Sequence, residues 1–306
     1  MPETKISTSE ISLNPAAAGQ STWSGAPDRT VRPAPRARKS AWLRPGALIV
    51  IGFVGLALLF SILAPLLPLQ DPNTQDLTSV LAGPSGDHWL GADQLGRDLL
   101  SRLVWGTRTS LFAAMTAIAV AAVVGIPLGL IAGYRKGWID WFLGRFADVV
   151  LTVPALVMLI TVQSSLKTGI YGQMVVLGIL FAPRILRVVR SATDSVVAAP
   201  YMAAGRLSGC SHTRILWRYV MPNVREQVLV QISYLLGLAL VVETGISFLG
   251  IGVQQPDSSL GTLLTGGTAM LASKPMVVLV PAAVLILLIL ALNMLGDLAV
   301  KGKSDE

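Results

Sequence analysis

One cysteine and two histidines are all the thiol and imidazole ligands that the 306 residues contain. Cys210 has no second thiol for an intramolecular disulfide, and His88 with His212 do not by themselves build a zinc site. Charge is equally scarce: Asp, Glu, Lys and Arg make up 13% of the chain against 53% hydrophobic residues, too little polar material to coat a soluble globule of this size. The mean hydropathy of +0.64 places the chain among polytopic membrane proteins. Catalytic signatures are missing as well. The Gly302, Lys303, Ser304 run would need its leading phosphate-loop glycine at Asp297, and no helix follows, so a P-loop is excluded. Without a Gly-x-Ser-x-Gly elbow or a His-Glu-x-x-His pair, the chain is expected to be no enzyme and to hold no catalytic, cofactor or metal residues. A formal charge of +7 would fit nucleic acid, but the basic residues gather between apolar blocks rather than in one groove with interleaved aromatics. Membrane lipid, not nucleic acid, is the expected contact.

What is present is a series of apolar blocks. Residues 1–41 are rich in Ser, Thr, Pro and Ala, end in a basic run, and read as a disordered cytoplasmic tail. A first span is expected over 46–67, and the acidic stretch after it, to about 107, is expected outside. Within that stretch Leu95, Leu99, Leu100, Leu103 and Val104 fall at helical spacing with Asp98 and Arg102 one turn apart, which predicts a separate interfacial helix. His88 and Trp89 read as interfacial anchors.

The second span, 110–134, carries Gly125, Gly129 and Gly133, a small-xxx-small face on which another helix packs closely. The third is expected over 147–162 with Pro154 inside it, and the fourth over 170–185. Arg184, Arg187 and Arg190 leave that fourth span on one face, as headgroup anchors or as contacts to an acidic partner. A fifth span over 228–249 and a sixth over 276–300 complete the set. Most of the 24 lysines and arginines then lie in segments assigned to the inner side, so both termini are expected in the cytoplasm. The expected organisation is a tail over 1–41, a first span with its outer segment over 42–107, a transmembrane domain over 108–300 and an inner tail over 301–306.

The polar interval from Tyr201 to Asn223 organises this chain. Ala203, Ala204 and Leu207 share one face of a short helix that Gly209 can end, and Ser211 can cap a second short helix carrying Ile215, Leu216 and Val220, which Pro222 is expected to stop. The interval resembles the cytoplasmic coupling loop of bacterial ABC importer permeases, whose signature is Glu-Ala-Ala, three residues, Gly, nine residues, then Ile, any residue, Leu-Pro. Ala204, Gly209 and Pro222 keep their places. Ala203 stands for the family Glu, Gly205 for the second Ala, Tyr219 for the Ile and Met221 for the Leu. The run from His88 to Leu103, HWLGADQLGRDLLSRL, is similar to the segment after the first span in the dipeptide, oligopeptide and nickel permease branch. So is ETGISFLGIGV, Glu243 to Val253.

Glu243 is the one ionisable residue set well inside an apolar block, read either as a gate or pathway residue or as a structural carboxyl satisfied by a neighbouring helix. Asn293 reads as interhelical glue. The resemblance implies an all-α membrane subunit with six transmembrane helices of the type I importer kind and a coupling loop over 186–226. It also implies a heterodimer with a homologous permease, two ATPase subunits holding ATP and Mg, and an extracytoplasmic binding protein that delivers peptide, nickel or another solute. A secondary transporter driven by an ion gradient is the rival reading; it would show carboxylates along a path and inverted repeats.

Overall fold

The computed structural model describes residues 45–200, 202 and 210–301. The expectations for the tail over 1–41, for Tyr201, Ala203, Ala204, Gly205, Leu207 and Gly209, and for residues 302–306 lie outside the described residues. The described residues form α1 (Pro45–Leu63), α2 (Leu99–Arg135), α3 (Trp138–Thr152), α4 (Ala155–Leu166), α5 (Ile170–Val197), a short α6 (His212–Ile215), α7 (Met221–Phe248), α8 (Leu260–Thr268) and α9 (Met276–Lys301). Five helical stretches are long and apolar enough to cross a membrane, and α3 with α4 qualifies as a sixth span bent by 78°.

Two of the expected boundaries are corrected. The interfacial helix and second span are one 37-residue helix, because Asp98 caps its first turn by accepting from the Ser101 amide at 2.7 Å and nothing breaks the backbone before Arg135. At roughly 55 Å it is longer than the hydrocarbon layer is thick, so it carries the expected span and the segment before it. Asp98 therefore does not pair with Arg102: its other oxygen lies 3.1 Å from His88 Nδ1, and Arg102 lies 3.4 Å from Asp93. His88 is buried and Trp89 is 72% exposed, so the two side chains do not form one anchor. The fourth span likewise does not end at 185. α5 runs on to Val197 because Arg187 pairs with Asp148 and Arg190 with Asp140, both on α3. Both arginines keep part of their side chains exposed beside these pairs, while Arg184 lies over the Phe181 ring at 4.9 Å.

Pro154 does more than sit inside a span. Val153 before it is extended, as a residue preceding proline is driven to be, and the bend between α3 and α4 falls there. The α2–α5 contact at the centre of the bundle is made by glycine. A Cβ added at Gly125 would lie 2.6 Å from Ala182 O, at Gly129 2.7 Å from Val189 Cβ, and at Gly133 2.6 Å from Arg190 O. Gly178 on α5 returns the contact against Ala117 and Val120. The small-residue face is thus occupied within this chain, where lipid offers no hydrophobic drive and close van der Waals approach supplies the attraction. Asn293 on α9 packs its amide on Gly237 of α7 in the same way.

The helices give the bundle two ends. One carries residues 249–259 and residues 67–98, the latter folded back on itself through Leu81 N to Asp93 O and Ala92 N to Ala82 O, at 3.1 and 3.0 Å. Gly96 there has φ +71 with the Asp76 carbonyl against its α-carbon, a position with no room for a side chain. Asp76 caps the turn Leu77–Ser79, and hydrogen bonds from the Thr78 and Ser79 hydroxyls hold its carboxyl below the usual carboxylate range. The other end carries the α2–α3 turn and the α5–α6 connection, tied by Lys136 to Asp194 at 2.5 Å and by Tyr134 Oη to His212 Nδ1 at 2.8 Å.

Candidate functional site

The chain into α7 begins at Ser211, whose hydroxyl accepts from the Arg214 amide at 3.4 Å and so caps α6 as its residue type predicts. α6 then passes without a break through a π turn, Leu216–Val220, into α7. The expectation that Pro222 stops this helix is corrected. A proline ring collides with the carbonyl four residues back only if the turn keeps ordinary α spacing, and here the Met221 amide reaches five residues back to Leu216 O. Pro222 follows this wide turn directly. The result is a continuous helical rod from His212 to Phe248.

Along the first part of the rod Ile215, Val220 and Val224 are buried in the core, and Met221 is half-buried. Arg214, Trp217, Arg218, Tyr219 and Pro222 face outward, Trp217 with 57% of its surface free. Motif spacing does not single out Trp217. Its position, two residues before Tyr219 on an exposed turn, is the signal that points to it. Apolar and basic side chains displayed together at the end of a bundle form a surface suited to a protein partner.

The rod carries Glu243 into the protein's interior, at 0% exposure. Ser247 Oγ donates to its Oε1 at 2.8 Å and Thr244 Oγ1 lies at 3.5 Å, with the hydroxyls of Ser110 on α2 and Ser259 before α8 beside the carboxyl. Those hydroxyls have a second task. Ser110 Oγ accepts from the Leu260 amide at 3.1 Å, Ser259 Oγ accepts from the Thr262 amide at 3.2 Å, and Ser247 Oγ accepts from Val253 N at 3.1 Å. One carboxyl thus fixes the start of α8, the turn after α7 and the early part of α2, each donor and acceptor satisfied away from water. A second buried polar tie lies close by: Gln173 on α5 donates to Gln163 Oε1 at 2.6 Å and to Ile251 O at 2.9 Å.

Beside this hub, at the end carrying residues 67–98, opens a cavity of about 1290 Å³ walled by α2, α4, the start of α5 and residues 252–258. Arg108 on α2 reaches into its wall, with the Trp105 and Phe112 rings 5.4 and 5.7 Å from its guanidinium carbon. Sequence spacing does not mark it, since a single arginine early in an apolar helix reads as a border residue. Among the described residues no group of three or more His, Cys, Asp or Glu is placed to hold a metal ion.

A bundle of five or six apolar helices with polar ties inside and a basic, aromatic surface at one end defines a multi-span membrane protein built to meet a partner. The comparisons give its kind. Residues 125–302 match the family described as the binding-protein-dependent transport system inner membrane component, and the chain belongs to that family. It is a multi-pass permease component of the bacterial inner membrane. It is 32% identical over 257 residues, 83% of this chain and 84% of the other, to a dipeptide transport system permease protein of Alkalihalophilus pseudofirmus. A glutathione transport system permease protein of Pectobacterium atrosepticum is 33% identical over 272 residues, 88% and 90% of the two chains. An oligopeptide transport system permease protein of Mycobacterium tuberculosis is 34% identical over 237 residues, 77% and 81% of the two. The fold is shared with a chain of the inward-facing methionine ABC transporter MetNI, at a TM-score of 0.55 and 17% identity, covering 65% of this chain and 94% of that one.

Proposed function

We propose that this chain forms half of the translocation pathway of an ATP-driven importer for short peptides, without catalysing a reaction itself. Its partners in this reading are a homologous second permease, two cytoplasmic ATPase subunits that hold ATP and Mg, and an extracytoplasmic binding protein. Relatives that carry dipeptides, oligopeptides and glutathione support peptide as the cargo class. The observation that carries the coupling role is the unbroken rod from His212 to Phe248. A push on the segment over 186–226 at one end is delivered by a stiff element to the hub that holds α2, α7 and α8 together at the other. The ATPases shift the permease between two arrangements only to the extent that their ATP-bound state fits one of them better.

The test uses ATP hydrolysis and dipeptide uptake measured on one reconstituted preparation of the full complex. Gly209 is placed by the resemblance at the break in the coupling loop, where a residue without Cβ accepts a left-handed backbone at little cost. Gly209→Val is expected to leave membrane insertion and permease pairing intact while lowering ATPase association or the uptake gained per ATP. Wild-type values of both would remove the coupling role. Uptake of nickel in place of peptide by the unaltered complex would move the cargo assignment and leave the architecture standing.

A further inference from the structure

The cavity holds an imbalance that the hub does not explain. Three arginines lie on or near the start of α2, and two of them, Arg97 and Arg102, pair with Asp93 at 2.8 and 3.4 Å. Arg108 has no carboxylate and no hydrogen-bond acceptor among the described residues, and its Nη1 is shut off from water without a partner. Holding a half-buried guanidinium without a partner is costly, and an expensive charge lining a cavity points to a binding role. Trp105 and Phe112 restrain the group by its ring contacts, which leave the donors other than the enclosed Nη1 open to an anion. The rim carries both signs, with exposed Asp71 and Asp257 carboxyls and the exposed Lys167 ammonium. A cavity of about 1290 Å³ has room for a small peptide.

We propose that Arg108 receives a carboxylate of the cargo as it crosses this cavity, so that the complex favours solutes bearing a free carboxyl group, the C-terminus of a short peptide above all. The inference rests on the peptide-importer reading and deepens it. An acidic side chain of a docking protein offers the same chemistry, but Arg108 lies nine residues into α2, roughly 14 Å along the helix, and is half-buried, while Lys167 and Asp257 stand at the rim. Depth favours the solute.

The experiment compares a dipeptide with its C-terminal amide, delivered by the binding protein to the full complex in proteoliposomes. The readouts are uptake, ATP hydrolysis and association of the binding protein. The unaltered complex is expected to prefer the acid. Arg108→Gln should cut uptake of the acid about tenfold, the loss of one hydrogen-bonded charge contact, and leave the amide within about twofold. Arg108→Met, whose unbranched chain still fills the space between Trp105 and Phe112, should do the same if the glutamine variant fails to assemble, and Arg108→Lys should restore part of the preference. Equal losses for acid and amide, or no change in either, overturn the inference. Weaker association of the binding protein with an unchanged acid-to-amide ratio also overturns it and assigns Arg108 to docking. No uptake of either compound by the unaltered complex brings down the peptide reading and this inference with it, whereas strong uptake with an unchanged ratio in the variants removes the inference alone.

Discussion

At Glu243 a single carboxyl substitutes for water in a place water does not reach. Removing it leaves the Ser247 hydroxyl without its acceptor and opens a void beside the Ser110 and Ser259 hydroxyls, and an unsatisfied buried polar group costs on the order of 1–3 kcal/mol. Glu243→Ala is therefore expected to lower the melting temperature of the purified complex clearly, and Glu243→Gln, which keeps one acceptor oxygen, to lower it less. A melt of Glu243→Ala that overlays the wild type would show that the hub is not a structural tie. Gly129 makes the opposite kind of demand, for absence of atoms. With Val189 Cβ 2.7 Å from where its own Cβ would stand, Gly129→Val must push α2 off α5, an overpacking cost of about 1–3 kcal/mol or more. Gly55→Ala on α1, which meets no neighbour within 4 Å, serves as the control. Yield of monodisperse protein should drop for the first and hold for the second; equal yields would mean the two helices can separate cheaply. The glycine stripe and the lone embedded Glu243 were both legible in the sequence, because spacing and an out-of-place charge are local signals. Their partners were not: Ser110 lies 133 residues before Glu243 in the chain, and nothing near it announces a contact.

Among the helices, apolar runs located the spans, and errors arose where an element continues beyond the apolar run. α5 stays helical past the expected end because Asp140 and Asp148 arrive from α3, a tertiary fact that hydropathy does not carry. Pro222 reads as a stop when only α geometry is considered, and the π turn before it removes the clash. That turn has a consequence for register. One additional residue in a turn rotates the segment before it by about 100° relative to the helix after it, so it decides which way Trp217 and Tyr219 face when α7 is seated in the core. Pro222→Ala removes the reason for the π turn and permits ordinary α spacing. The expected outcome is normal insertion and assembly with fewer peptides imported per ATP hydrolysed, read on one reconstituted preparation. An unchanged ratio would show that the orientation of the outward side chains does not matter to coupling.

For the molecule as a whole, the two ends of the bundle differ in charge and in shape. The end with Lys136, Arg187, Arg190, Arg214 and Arg218 is rich in cations, and because cytoplasmic loops carry such an excess we propose that this end is inside and residues 67–98 outside. The sequence offers a direct way to test that orientation, since Cys210 is the sole cysteine and lies partly exposed at the cation-rich end. A thiol reagent that does not cross membranes is expected to label Cys210 in inverted vesicles and to leave it unlabelled in intact cells. Moving the thiol to the other end should reverse the pattern. In a Cys210→Ala background, Gly86→Cys is the suitable site because Gly86 is exposed, has no neighbour within 4 Å where its Cβ would stand, and so tolerates a side chain. It should label in intact cells and be protected in inverted vesicles. If both positions label from the same side, the odd number of crossings between them is wrong, and the bent pair α3 and α4 is the place to look. A pair that turns back without crossing leaves α2 and α5 as the two crossings between Gly86 and Cys210, which returns both to one face. If the two labels simply exchange sides, the crossings stand and the whole bundle is inverted, so that the Trp217 and Tyr219 surface would face away from the cytoplasm and could not receive the ATPases.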